Sequence, residues 1–167
     1  MKNIILILCV LLVFLPSCSE KEVDVEQEKV AIKLVIAKET QAWIDQDLVA
    51  ILETLVQDEN SARITIGQTG YSEMIGWDKI YNFYKKGMET DWSDFENMSF
   101  DHSNFKIHVC TGAALAMFDQ TMTYYYSGEL QETKAKEMRM LQKIKGQWKI
   151  VLLQWVDLNS FQTQENS

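Results

Sequence analysis

Gly146-Gln147-Trp148-Lys149-Ile150-Val151-Leu152-Leu153-Gln154-Trp155-Val156-Asp157 is the stretch that decides the fold. Lys145-Gly146-Gln147 is a tight hairpin signal, and Trp148 to Asp157 reads as a strand. That strand has no polar face. Trp148, Ile150 and Leu152 share one parity, and Val151, Leu153 and Trp155 share the other, so the strand is expected to be covered on both sides. Working back from it, Lys134 to Ile144 is the partner strand, and Ser127-Gly128-Glu129 is a turn. Ala113 to Tyr126 is a long strand, with small residues at its start (Ala113, Ala114, Ala116) and aromatics at its end (Tyr124, Tyr125, Tyr126). Thr111-Gly112 turns the chain again, after Phe105, Ile107 and Val109 have alternated with Asn104, Lys106 and His108.

Upstream of Trp92 the period is helical. Ile32, Ile36, Glu39 and Trp43 fall at i, i+4, i+7 and i+11, which predicts a helix from about Lys29 to Gln46 with a carboxylate on its apolar stripe. Asp47 is an N-cap candidate for a second helix carrying Leu48, Ile51, Leu52, Leu55 and Val56. Residues 58–71 are polar around a β-prone island, Arg63-Ile64-Thr65-Ile66, and Gly67-Gln68-Thr69-Gly70 reads as a simple turn, since it lacks the Lys-Ser/Thr ending of a phosphate loop. A third helix follows Gly76 with Trp77, Ile80, Tyr81, Tyr84 and Met88 on one face, and Gly87 is expected to fray its end. Helices followed by a meander of long strands give an α+β fold, a curved antiparallel sheet wrapped around three N-terminal helices over residues 29–158. Residues 159–167 read as a polar tail.

Four pieces in this order resemble the nuclear-transport-factor-2-like superfamily, in its SnoaL-like and ketosteroid-isomerase-like branch. They are Gln41-Ala42-Trp43-Ile44-Asp45-Gln46-Asp47, Gly76-Trp77-Asp78-Lys79-Ile80, Gly112-Ala113-Ala114-Leu115-Ala116 and Gly146-Gln147-Trp148-Lys149-Ile150-Val151. The resemblance covers roughly residues 27–158. It implies that the fold is cone-shaped, with a conical cavity, open at one end, that holds a small apolar or aromatic molecule. Members include isomerases, dehydratases, cyclases and binding domains without a known reaction, so the chemistry has to come from the site.

An isomerase of this type needs a carboxylate base facing an acidic hydrogen-bond donor. The candidates are Glu39, Asp101, Asp119, Glu137, Arg139 and Tyr124. Glu137 and Arg139 share a strand face at two-residue spacing, which allows an inward salt-bridged pair. The neighbouring Glu132, Lys134 and Lys136 favour a solvated face instead. Asp101 and His102 are adjacent and point to opposite faces, so they form no dyad without a bulge. His102 and His108 have matching parity but lie ~20 Å apart along a strand, too far to share a metal. Cys110 has no obvious base beside it and reads as a buried structural thiol. No metal site and no cofactor is implied. Trp43, Trp77, Tyr81, Tyr84, Trp92, Tyr124, Gln154 and Trp155 are the candidate ligand-binding set, with core packing as the competing reading of the aromatics.

Lys2, the uncharged run Ile4 to Leu15 and the Leu15-Pro16-Ser17-Cys18 lipobox read as a bacterial lipoprotein signal, with Cys18 the lipidated residue. The apolar run is shorter than the ~20 residues of a bilayer crossing. Residues 1–17 are then a signal peptide and 18–28 a charged tether. The expected location is the cell envelope, on the outer membrane, with the membrane reached through lipidated Cys18. The full chain carries 16 basic and 24 acidic residues, net −8. Loss of Lys2 with the signal leaves −9, which argues against nucleic acid. Only Cys110 would then remain as a free thiol, so the domain is held by apolar packing. Three functions stay open at this level. One is a ligand-binding module, one an isomerase or dehydratase using Glu39 or a carboxylate of the Lys134–Ile144 strand as base, and one an assembly module that forms a homodimer through its sheet.

Overall fold

The computed structural model describes residues 24–164. Residues 1–23, and with them the signal, Cys18 and most of the expected tether, lie outside the described residues. Helix α1 (Val25–Ile44) begins four residues earlier than the periodicity indicates, because Asp24 accepts hydrogen bonds from the Glu26 and Gln27 amides as an N-cap. Its buried residues are Ile32, Ile36, Glu39, Thr40 and Ala42. Helix α2 (Leu48–Glu53) is capped by Asp47 and stops short of Leu55 and Val56. Those two are buried all the same: the Val56 amide donates to the Ile150 carbonyl, and the Ile150 amide donates to that of Thr54.

The three helices are not consecutive. Residues 62–75 form a hairpin, β1 (Ala62–Gly67) and β2 (Gly70–Ile75), before α3 (Trp77–Glu89) begins. The four long strands follow: β3 (Phe95–Cys110), β4 (Ala113–Tyr126), β5 (Glu129–Ile144) and β6 (Gln147–Asp157). The six strands form one sheet in the order β2-β1-β6-β5-β4-β3, antiparallel except where β1 runs parallel to β6. A short 3-10 turn, Asn159–Gln164, follows β6 where a plain polar tail is expected. Among the described residues no helix is long and apolar enough to cross a membrane.

Bulges set which side chains face inward. The β5/β6 register shifts between Met140 and Leu141, leaving Val151 without a partner and reversing the parity of β6 beyond it. Trp148, Ile150, Leu153 and Asp157 are therefore the buried residues of β6, while Leu152, Gln154 and Val156 pass to the outer face. The doubly apolar strand is one face interrupted by a bulge. A second shift, between Ser103 and Lys106 with Asn104 at φ 53°, keeps His102 and Phe105 on one side and turns His108 outward. The two histidines that share parity in the sequence thus lie on opposite faces. Curvature of the sheet follows from the same irregularities.

The core joins Ile32, Ile36 and Ile51 from the helices to Ala116, Phe118, Leu141 and Ile150 from the sheet. Gly87 lies inside α3, where its role is close approach: a Cβ there would sit 2.7 Å from the Trp43 ring. Cys110, expected to be buried, is exposed at the end of β3. On the outer face of the sheet, Leu115, Met140, Leu152 and Ala62 stand in one cross-strand row. Met117, Met138, Gln154 and Ile64 stand in the next. Met140 is 45% exposed, so this face presents apolar surface to solvent.

Candidate functional site

A cavity of about 230 Å³ lies between α1, α3 and the inner face of the sheet. Helix α1 contributes Glu39, Thr40 and Trp43, α3 contributes Tyr84, and β1 contributes Arg63 and Thr65. The remaining wall comes from Phe100 on β3, Gln120 and Met122 on β4, Thr133, Glu137 and Arg139 on β5, and Leu153 and Trp155 on β6.

Its charged groups and Tyr84 form one chain of contacts. Arg139 NH1 donates to Glu137 Oε2, and its NH2 donates to Glu39 Oε2 at 3.3 Å. Glu39 Oε1 accepts from the Tyr84 hydroxyl at 3.2 Å, and the Tyr84 hydroxyl oxygen in turn accepts from Arg63 NH1 at 3.4 Å. Glu39 thus has both oxygens engaged. Glu137 Oε1 accepts no hydrogen bond from the described residues and is free to face a ligand. The Arg139 guanidinium lies 5.5 Å from the Phe118 ring centroid, which holds it over an aromatic face.

Burial governs the protonation states. It pushes Glu137 above the usual carboxylate range, against the opposing pull of Arg139. Burial alone would lower Arg139, but the charges of Glu137 and Glu39 outweigh it and hold the guanidinium firmly protonated. Burial, reinforced by the Glu39 charge, raises the Tyr84 hydroxyl, which therefore stays a donor at neutral pH. His102, outside the cavity wall, is lowered chiefly by burial and hydrogen-bonds Gln120 at 3.0 Å.

The structure brings six of the sequence candidates together: Glu39, Glu137, Arg139, Trp43, Tyr84 and Trp155. The solvated-face reading of Glu137 and Arg139 is corrected, since both side chains are almost wholly enclosed. Lys134 and Lys136 carry the opposite parity of β5 and point outward, so their charge says nothing about the inner face. Asp119 is on the outer face with Lys136 and Asn104, and Lys136 lowers its pKa most. Asp101 is exposed. Gln154 is turned outward by the β6 bulge, opposite Met138. Trp77 and Tyr81 pack on each other at 6.1 Å, away from the cavity wall. Trp92 backs Trp43 at 5.2 Å, and Tyr124 packs on Phe95 at 5.4 Å. Neither lines the cavity.

Arg63, Thr65, Thr40, Gln120 and Thr133 are the polar lining residues that sequence reasoning passes over. The signal for the first two was the alternation Arg63-Ile64-Thr65-Ile66. Its conventional reading puts isoleucine inward, whereas here the polar parity lines the cavity, and Ile64 and Ile66 stand on the outer face opposite Gln154 and Val156.

No protein-family model matches the chain, and no curated protein matches it. Solved structures do match in fold. A nuclear-transport-factor-2-like superfamily protein from Salmonella enterica serovar Typhimurium is 23% identical, with a TM-score of 0.60 over 77% of this chain and 91% of that one. An uncharacterised protein of the same kind from Shewanella oneidensis is 20% identical, with a TM-score of 0.60 over 78% and 99%. A structure from Streptomyces avermitilis, provisionally assigned as a dehydratase of that family, has a TM-score of 0.64 at 12% identity over 80% and 97%. The chain therefore has the nuclear-transport-factor-2-like fold.

Proposed function

We propose that this cone binds a small apolar molecule and moves a proton on it, in chemistry of the isomerase or dehydratase type, with Glu137 as the base. The observation that carries this reading is a pair of carboxylates sharing one buried guanidinium, one of which keeps an unbonded oxygen. Arg139 fixes both carboxylates, Tyr84 holds Glu39, and the raised Glu137 is matched to proton transfer nearer neutrality than a free carboxylate. The aromatic and aliphatic walls, Trp43, Phe100, Met122, Leu153 and Trp155, suit a flat apolar guest. A binding module without turnover, the simpler alternative, uses the same walls.

The probe 5-nitrobenzisoxazole separates the two, because its ring opens to the coloured 2-cyano-4-nitrophenolate when a base removes its C3 proton and the N–O bond breaks. The protein is expected to open it at least ~10²-fold faster than acetate at equal concentration, the lower end of what a positioned base supplies. A rate no higher than that of acetate removes the catalytic reading.

Anchoring through lipidated Cys18 at the cell envelope is part of the proposal and rests on the Leu15-Pro16-Ser17-Cys18 sequence alone. In a Gram-negative host, the protein is expected to incorporate labelled palmitate and pellet with membranes. Cys18→Ser should release it to the soluble fraction, and unchanged pelleting would remove the lipid anchor.

A homodimer through the outer sheet face is favoured by the rows containing Leu115, Met140, Leu152, Met117 and Met138, since monomers rarely leave large contiguous apolar patches uncovered. Sedimentation should find twice the chain mass for the wild type and a monomer for Met140→Glu. A wild-type monomer at high concentration would exclude the dimer.

A further inference from the structure

Arg63 is the one arginine of the cavity with no acidic partner. Glu39 and Glu137 both bond Arg139, and no salt bridge to Arg63 forms among the described residues. Its guanidinium lies 4.4 Å from the Phe83 ring centroid, which fixes the plane of the group, and NH1 is tethered to the Tyr84 hydroxyl. Its Nε is buried without a hydrogen-bond partner. Thr65 stands two residues along β1 on the same inner face, lines the same cavity and offers a hydroxyl beside it. Immediately across the β1/β6 pairing are Leu153, opposite Arg63, and Trp155, opposite Thr65, so an apolar wall adjoins the cation directly.

Arg63 is half-buried, and its NH2 donates to no group among the described residues, which leaves a terminal donor for an acceptor in the cavity. Resting on the reading of the cavity as a small-molecule site, we propose that its ligand is an apolar monocarboxylic acid, bound with its carboxylate on Arg63 and Thr65 and its hydrocarbon part against Leu153, Trp155 and Trp43. One guanidinium without a direct carboxylate bond calls for one negative charge, and Glu39, reached through the Tyr84 hydroxyl, and Glu137 in the same cavity disfavour a doubly charged group such as a phosphate monoester. The volume, about 230 Å³, exceeds the ~150 Å³ that admits benzene, leaving room for a ring or short chain plus the carboxylate. Arginine matches a carboxylate with two parallel N–H donors, a geometry that lysine lacks.

The test is titration calorimetry of the full chain at pH 7 with three acids and their alcohols: benzoate and benzyl alcohol, 3-phenylpropionate and 3-phenylpropanol, hexanoate and hexanol. At least one acid is expected to bind ten- to a hundredfold tighter than its alcohol, the range of a charge-assisted hydrogen bond. Arg63→Met should abolish that preference while changing alcohol binding less than about threefold, and Arg63→Lys should restore only part of it. The acid–alcohol comparison needs only wild-type protein, so it stands even if the variants misfold. Alcohols binding as tightly as their acids would overturn the carboxylate proposal and leave the cavity reading intact. No binding by any of the six would overturn both.

Discussion

Arg139→Met is expected to destabilise the protein by about 3–5 kcal/mol at pH 7, the cost of leaving buried charge without its partner. Among the described residues the guanidinium is the only group that bonds both Glu39 and Glu137, and its side chain and those of the two glutamates are almost wholly enclosed. Methionine fills much the same volume, so the loss measures electrostatics more than a cavity. The pH dependence identifies the cause. Glu137 is raised by burial even with Arg139 present, so the folded chain binds a proton there more readily than the unfolded chain does. A carboxyl raised on folding favours the folded state below its unfolded value of about 4.3 and loses that contribution as pH rises through the folded value. Without Arg139 the rise is steeper, and the deficit of the variant should shrink between pH 7 and pH 5. Urea unfolding at the two pH values measures this. Adding Glu39→Gln and Glu137→Gln to Arg139→Met should recover most of the loss, since uncharged replacements of a buried ionic group are often neutral. A loss under about 1 kcal/mol, or one that is the same at both pH values, would show that the triad is not an interdependent buried charge network.

Glu137→Gln is expected to lower the rate on 5-nitrobenzisoxazole by 10²–10⁴-fold, the usual contribution of a positioned general base. The amide is isosteric and its oxygen can still accept from Arg139, so stability should change little. Glu39→Gln should cost no more than about tenfold, because both Glu39 oxygens are occupied, by Arg139 and by Tyr84, and the residue acts by positioning. In the wild type the rate should rise with pH through a midpoint above the ordinary glutamate value near ~4.3, since the unprotonated form is the base. A full rate in Glu137→Gln with a collapsed rate in Glu39→Gln would exchange the two roles. A midpoint in the ordinary carboxylate range would place the base on an exposed residue outside the cavity.

The carboxylate on α1 was legible from periodicity: Glu39 sits on the stripe of Ile32 and Ile36, and a helix face that carries three inward residues carries the fourth with them. On β5 the same kind of reasoning failed for an instructive reason. In a strand, charges next in sequence belong to opposite faces, so Lys134 and Lys136 made Glu137 look solvated when they reported only on the far side of the sheet. Gln154 and His108 failed through bulges, where one inserted residue reverses every later parity without an unambiguous local mark.

By itself the chain determined its three helices, its long strands and the pairing of each long strand with the next. Apolar residues at helical spacing need one buried flank, glycine at Gly112, Gly128 and Gly146 permits the positive φ of tight turns, and long alternating runs joined by such turns pair with their neighbours. The tertiary structure alone decided which side of each strand is inside, and so brought Arg63, Tyr84, Glu39, Arg139 and Glu137 together from four separate elements. That convergence depends on register shifts and on the hairpin of β1 and β2 docking parallel to β6, contacts between residues up to a hundred positions apart. Local propensity acts over a few residues and does not reach that far.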